Sequence, residues 1–389
     1  MLKEIQKIID ENYDEMVSIR RYLHQHPELS FHEHKTAAYI ADFYTDLDIP
    51  FIKDVGGNGI IATLKGGKPG KKIAFRADFD ALPINDEKDV PYKSKVDGVM
   101  HACGHDAHTA SLLVLAKILK GFQKELPGTL VFVHQHAEEI PPGGANSIVK
   151  TGALDDIDAI FGNHFWATTE VGKIHTKQGS FMAGVDKLTI QINGAGGHGA
   201  YPHQTKDSIV IGSMLVTQLQ TIISRRLDPL QTAVLTIGEF KSGSSFNIIA
   251  DQAKLTGTVR YLDLDIQKQI INELERLVDG VAKTHDVEII LNYEKGYPPV
   301  INHPHETEMV LRAAQKVPEV NEAIEVNPQM AAEDFSYYLA HKPGAFFFTG
   351  AKKTKDSYPH HHPKFDIDEK ALPIAAKVLI GAYFEAQNK

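Results

Sequence analysis

The sequence predicts an α/β fold: a helix-covered, largely parallel sheet whose chain is interrupted by an inserted, ferredoxin-like α+β domain. Three patterns point to it. From residue 59 to residue 164, short apolar runs of strand length alternate with helix-length segments, the order that builds a parallel sheet with helices on its faces. Between about 185 and 293 the order becomes β-α-β-β-α-β, and the strands alternate polar with apolar residues, as half-exposed antiparallel strands do. After GYPPVINHP (296–304) the first rhythm resumes. The larger domain is therefore expected to be discontinuous, 1–182 with 297–389, around an insert at 183–296.

The elements follow in order. Ile5, Ile8, Ile9, Tyr13, Met16, Ile19 and Leu23 recur at steps of three and four, which predicts one amphipathic helix ending before His26-Pro27. A second helix is expected from Thr36 to Asp46. Strands GIIATL (59–64) and KIAFRA (72–77), a helix near 107–122, strand TLVFVHQ (129–135), a helix near 143–151 and strand DAIFGNH (158–164) come next. The insert reads as strand KLTIQIN, helix 206–224, strands TAVLTIGEF and AKLTGTVRY, helix 264–283 and strand VEIILNY. Strand AFFFTG and a helix over 369–386 close the chain.

With 389 residues, 42% hydrophobic and 23% charged, the chain has the composition of a soluble protein of about two domains. Its formal net charge of −9, without a long basic run, argues against nucleic acid and anionic membranes and for small-molecule partners. MLKEIQKIIDENYDE at the start holds no signal-peptide core, and no stretch approaches the ~18 apolar residues of a membrane span, so a cytoplasmic location is expected. A single cysteine excludes an internal disulfide and fits a reducing compartment.

Histidine is the unusual component, at 20 residues, and several histidines fall in segments rich in other metal donors. Cys103 and His105 in MHACGHDAH, Glu138-Glu139 in HQHAEE, His164 in GNHFW and His361 in PHHHPKF offer thiolate, imidazole and carboxylate. They lie at predicted strand ends or in the loops beyond, where an open α/β sheet collects its chemistry. A lone buried cysteine is ordinarily a small core residue. Here Gly104 lets the backbone turn tightly, and Asp106 and His108 make the segment too polar for a core. Two adjacent glutamates could cap the following helix. They also allow one to bind metal while Glu138 takes a proton from a water, the division of labour of a hydrolase. Asp78 in FRADFDALP either pairs with Arg76 or orients a ligating histidine from outside. His360, His361 and His362 are not separable on this reading.

Gly194, Gly196 and Gly199 outline the G-x-G-x-x-G of a dinucleotide turn, which would make the chain a nicotinamide-dependent oxidoreductase. Against that, Tyr201-Pro202-His203 separates the glycines from the next helix, and no acid stands between Asp207 and Asp228 to hold a ribose. The same glycines would let the loop bearing His198 approach a ligand, where an imidazole can stabilise a developing oxyanion.

RADFDALP, MHACGHDAHT, HAEE, IFGNH, GAGGHGAYPH, AEDF and HHPKFDIDE occur in this order over nearly the whole chain. Together they resemble the di-metal aminoacylase and carboxypeptidase family, in the branch of hippurate hydrolase and the plant hydrolases of indoleacetyl-amino acids. The resemblance implies two divalent metal ions in the larger domain and an insert that serves as lid and homodimerisation domain. It implies that Cys103 bridges the ions, that His105 and His164 complete one and Glu139 and His361 the other, and that Glu138 is the general base. The family form His-x-Pro-x-Phe selects His361. His198 corresponds to the family's lid histidine, and Asn247 and Arg260 to positions that bind the substrate carboxylate. Arg76 and Cys103 stand where other branches carry a ligating histidine and a bridging aspartate. Zinc or manganese is expected, with cobalt and nickel compatible with the same donors. The implied reaction is hydrolysis of an N-acyl amino acid to a carboxylate and a free amino acid. Deacetylation of N-acetyl-diaminopimelate and dipeptide hydrolysis are the alternatives within the family.

Overall fold

A computed structural model describes residues 1–388. The chain divides into two compact units, Met1–Phe181 with Val300–Asn327 and Asp334–Lys389, and Met182–Pro299 with Pro328–Glu333. Strands are numbered β1 (Phe51–Val55), β2 (Gly59–Lys65), β3 (Lys68–Asp78), β4 (Pro127–Gln135), β5 (Ala159–Glu170), β6 (Lys173–Thr176), β7 (Gly184–Asn193), β8 (Ala233–Ser242), β9 (Gln252–Tyr261), β10 (Glu288–Lys295), β11 (Glu322–Glu325) and β12 (Gly344–Lys352). The helices are α1 (Leu2–Glu11), α2 (Tyr13–Gln25), α3 (His34–Asp46), α4 (His105–Gly121), α5 (Gly144–Lys150), α6 (Ser208–Thr221), α7 (Leu264–His285), α8 (Pro304–Ala314), α9 (Ser336–His341) and α10 (Ala371–Gln387).

The first unit is built on an eight-stranded sheet in the order β1-β2-β4-β3-β5-β12-β6-β11. Its centre, β4, β3, β5 and β12, is parallel, and antiparallel pairs occur only toward the margins, at β1/β2, β2/β4 and β12/β6. The central strands are continuous apolar runs because helices cover both faces: β3 is buried from Ile73 to Asp78 and β12 from Gly344 to Ala351. Helix α4 packs against β3, α2 and α10, and residues 105 to 116 are buried without a break, so its sequence shows no polar stripe.

Two expectations need correction. The single N-terminal helix is two, α1 and α2, because Asn12 breaks the ladder between them. Its side-chain Nδ2 donates to the Ile8 carbonyl at 2.8 Å, a local bond that competes with the helix while the apolar spacing runs on undisturbed. Strand β5 does not stop at His164 but continues to Glu170. It pairs with β3 only as far as Gly162, opposite Arg76, and from there keeps β12 alone as partner.

The second unit carries a four-stranded antiparallel sheet, β8-β9-β7-β10, reached in the chain order β7-α6-β8-β9-α7-β10. Leu188, Ile190 and Ile192 on one face of β7 form its core with Ile211, Leu215 and Leu219 of α6 and Ile270, Leu274 and Val278 of α7. Both helices start on an aspartate whose side chain accepts backbone amides: Asp207 from Ile209 and Val210, Asp263 from Asp265 and Ile266. The glycine-rich stretch at 194–199 does not open a helix, since α6 begins only at Ser208. Among the described residues, no helix is long and apolar enough to cross a membrane.

Candidate active site

Three parallel strands deliver the donors. Asp78 and Gln135 are register partners at the ends of β3 and β4, so FRADFD and HQHAEE leave the sheet side by side. His164 lies two residues beyond the last β3/β5 pair, past the same end of β3, and opposite Phe348 of β12. Cys103 and His105 sit at the start of α4, separated by Gly104 at φ +96°, a left-handed turn that costs other residues about 1–2 kcal/mol.

Among the donor groups, two triads share the Cys103 sulfur, and His105, Glu138 and Glu139 form another beside them. Cys103, His105 and His164 can each offer a ligand atom within 4.8 Å of the others, and so can Cys103, Glu139 and His361. The Cys103 Sγ is 3.4 Å from His164 Nε2, and His361 Nε2 is 3.4 Å from Glu139 Oε1. His105 Nε2 stands 3.9 Å from both Glu138 Oε2 and Glu139 Oε1. His360 plays a different part. Its Nε2 accepts from the Ala167 amide at 3.2 Å, so the ring proton sits on Nδ1, which faces the Cys103 sulfur at 3.9 Å. His362 stacks on Tyr358 and accepts from the Lys364 amide. The geometry thus separates the three consecutive histidines that the sequence left together.

Outer contacts orient the imidazoles. His164 Nδ1 donates to the Phe165 carbonyl at 3.0 Å, and His105 Nδ1 to Asp80 Oδ1 at 3.0 Å, which leaves both Nε2 atoms as lone-pair donors toward the centre. The carboxylate behind His105 is therefore Asp80, a residue passed over in that role. Asp80 also accepts from the Glu139 amide at 3.0 Å and from Ser30 Oγ at 2.7 Å, tying both triads together. Asp78 is fully buried and orients a histidine, but the one it holds at hydrogen-bond distance is His108, at 2.5 Å, with Arg76 on its other oxygen at 2.7 Å. His105 Nε2 is 3.6 Å from it. His108 passes the contact to the Phe165 amide beside His164.

The residues present fit divalent ions. His105 Nε2 is a buried polar atom with no hydrogen-bond partner, a condition native interiors rarely leave uncompensated. Burial, together with Glu139, Glu138 and Asp78, pushes the Cys103 thiol well above its usual pKa. Burial alone would pull His105 down, but Asp78 and Asp80 outweigh it and raise its pKa to about 10. In such an acidic pocket a thiolate and a neutral imidazole need cations to balance them. Metal binding at neutral pH should accordingly release about two protons, from Cys103 and His105, and strengthen as pH rises. Calorimetry in buffers of different ionisation enthalpy would count them, and a pH-independent affinity would show that the thiol is not a ligand.

Residues 74–384 match the family described as "Peptidase family M20/M25/M40". The chain belongs to that family. As a member it is 52% identical over 382 residues to the Bacillus subtilis protein YhaA, itself only provisionally named an amidohydrolase, covering 98% of this chain and 96% of that one. An N-acetyl-L-cysteine deacetylase of Bacillus subtilis is 40% identical over 365 residues, 94% of this chain and 86% of the relative. The crystal structure of the Bacillus subtilis YXEP protein, a dinuclear metal-binding peptidase, superposes with a TM-score of 0.85 at 33% identity over 98% and 99% of the two chains. Family membership together with the donor set makes this chain a metal-dependent amidohydrolase, and the oxidoreductase alternative falls.

His198, Asn247 and Arg260 all lie in the second unit. His198 is exposed on a two-residue strand, Gly197–His198, that pairs with Ile248–Ile249, one residue after the exposed Asn247. Arg260 is half-buried on β9, opposite Val185 of β7.

Proposed function

We propose that the chain hydrolyses the amide bond of N-acyl amino acids, releasing a carboxylate and the free amino acid. One observation carries the reading: two ligand triads share the Cys103 sulfur, and a second buried glutamate, Glu138, stands beside them within reach of His105 and Glu139. Cys103, His105 and His164 would hold one divalent ion, and Cys103, Glu139 and His361 the other, with zinc or manganese the expected metals. When bound, the ions supply Lewis acidity to the attacking water and to the amide carbonyl. Glu138 takes one proton of that water as its oxygen adds to the acyl carbon. As the C–N bond breaks, Glu138 returns that proton to the leaving nitrogen and the second proton of the water follows it, so the acyl group departs as a carboxylate and the amino acid with its amine protonated. The deacetylases among the relatives support an N-acyl amino acid as substrate.

In this reading the second unit is a lid and homodimerisation domain, with Asn247 and Arg260 on the substrate carboxylate and His198 on the oxyanion. The His198 Nδ1 accepts from the Ala200 amide at 3.1 Å, which puts its proton on Nε2, the tautomer an oxyanion donor needs. His198→Ala should lower kcat by about 10²-fold with metal content unchanged, since the contact strengthens in the transition state. An unaffected kcat would retire the role. The reading as a whole is tested with apo protein reloaded with single metals and offered acetyl-, benzoyl- and indoleacetyl-amino acids, acetyl-diaminopimelate and dipeptides. Turnover confined to dipeptides would overturn it.

A further inference from the structure

Glu33 belongs to neither ligand triad, yet its side chain is fully buried and its carboxylate is spent on neutral donors. Asn58 Nδ2 donates to Oε2 at 2.9 Å and the Ala137 amide to Oε1 at 2.8 Å. Ala137 immediately precedes Glu138 and has a φ of +52°, the left-handed region that an L-residue with a Cβ leaves unless it is held. Both of its backbone groups are engaged, the amide by Glu33 and the carbonyl by the Gly144 amide at 3.1 Å. Two residues on, the Glu139 amide is held by Asp80. The glutamate pair therefore hangs between two buried carboxylates that come from separate parts of the chain. The far side of the clamp is equally tight. A Cβ at Gly57, next to Asn58, would fall 2.5 Å from His136 Nε2, so only glycine lets Asn58 reach Glu33 over that ring. Burial pushes the Glu33 carboxyl up to about 7, so the position is unfavourable for an anion and no charge pairing accounts for it.

We propose that Glu33 is a positioning residue for the base: it holds Ala137 in its left-handed conformation and so aims Glu138 at the water that Glu138 deprotonates. The inference rests on Glu138 being the base. What Glu33 supplies is an acceptor at a fixed place. Glu33→Gln keeps an acceptor for the Ala137 amide once the Asn58 amide turns over, and should retain kcat within about threefold. Glu33→Asp withdraws the acceptor by one methylene, and Glu33→Ala removes it. Both should lower kcat by about 10- to 10²-fold, with KM and the number of metals bound per chain close to wild type. The decisive arm is the same change made in Glu138→Gln protein, where no base is left to misplace and Glu33→Asp should alter the residual rate by less than about twofold.

Full activity in Glu33→Asp and Glu33→Ala would overturn the proposal. So would an equal loss in both backgrounds, or a loss that follows the metal content. Near-normal turnover of Glu138→Gln alone would remove the base assignment and this proposal with it. An inert Glu138→Gln beside a fully active Glu33→Asp would overturn the proposal and leave the base in place.

Discussion

Glu138→Gln should lower kcat by about 10²–10⁴-fold while both metal ions remain bound, the largest catalytic effect expected from a single substitution in this chain. The side chain is buried, and its Oε2 is 3.9 Å from His105 Nε2, at the edge of the metal-binding group but outside both triads that share Cys103. Glutamine keeps the shape and cannot carry the proton, so binding should survive and chemistry fail. KM should change little, because the lost interaction acts in the transition state. Metal analysis and steady-state kinetics on the same preparation test both halves. Turnover near that of the wild type would place the base elsewhere, and loss of a metal ion would make Glu138 a ligand.

Arg76→Met should destabilise the protein by about 3–5 kcal/mol, because it breaks a buried ion network and leaves its acids behind. The guanidinium donates to Asp78 at 2.7 Å, to Asp334 at 2.9 Å and to Gln135 at 2.9 Å, and all three partners are buried. The loss should depend on pH, and the sign follows from the two aspartates. Burial raises the Asp78 carboxyl, but Arg76, His105 and His108 outweigh it and hold the pKa well below the ordinary range. Its stabilising contribution is present above the unfolded pKa and disappears on acidification. Burial pushes Asp334 up even though Arg76 opposes it, so removing Arg76 raises it further. Asp334 would then bind its proton more readily folded than unfolded, and acid would favour the folded variant. Both effects narrow the gap between variant and wild type as pH falls. Urea denaturation at mildly alkaline and mildly acidic pH would show it, and a gap that widens in acid would contradict the assignment.

Much of this site was legible because its signals are local. Cys103, Gly104 and His105 lie within three residues, and an acidic pair after an apolar strand is conspicuous in any register. The order of strands and helices was legible too, since burial on both faces produces unbroken apolar runs. What escaped depends on pairing across long separations. Asp80 lies beyond the end of β3, where strand alternation no longer says which way a side chain points, so only Asp78 was read as orienting a ligating histidine. Glu33 sits in a polar stretch that reads as the start of a helix, and its partner Ala137 is 104 residues away. The extra length of β5 comes from β12, a strand nearly two hundred residues downstream, and has no counterpart in the apolarity of FWATTE. Asn12 failed for the opposite reason: one side-chain bond to Ile8 decided the break, and periodicity is blind to it.

The place of β12 in the large sheet has a consequence for how the protein is made. This strand lies between β5 and β6 yet is synthesised long after both. All four strands of the second unit's sheet, between Gly184 and Lys295, leave the ribosome before it does. Throughout that interval β5 presents a bare, apolar edge, the kind of surface on which nascent chains pair with one another. His361 emerges later still, after the four other proposed ligands. The donor set is thus complete only after the second unit has been made, and a chain that stops within that unit carries four of the five proposed ligands beside an open sheet edge.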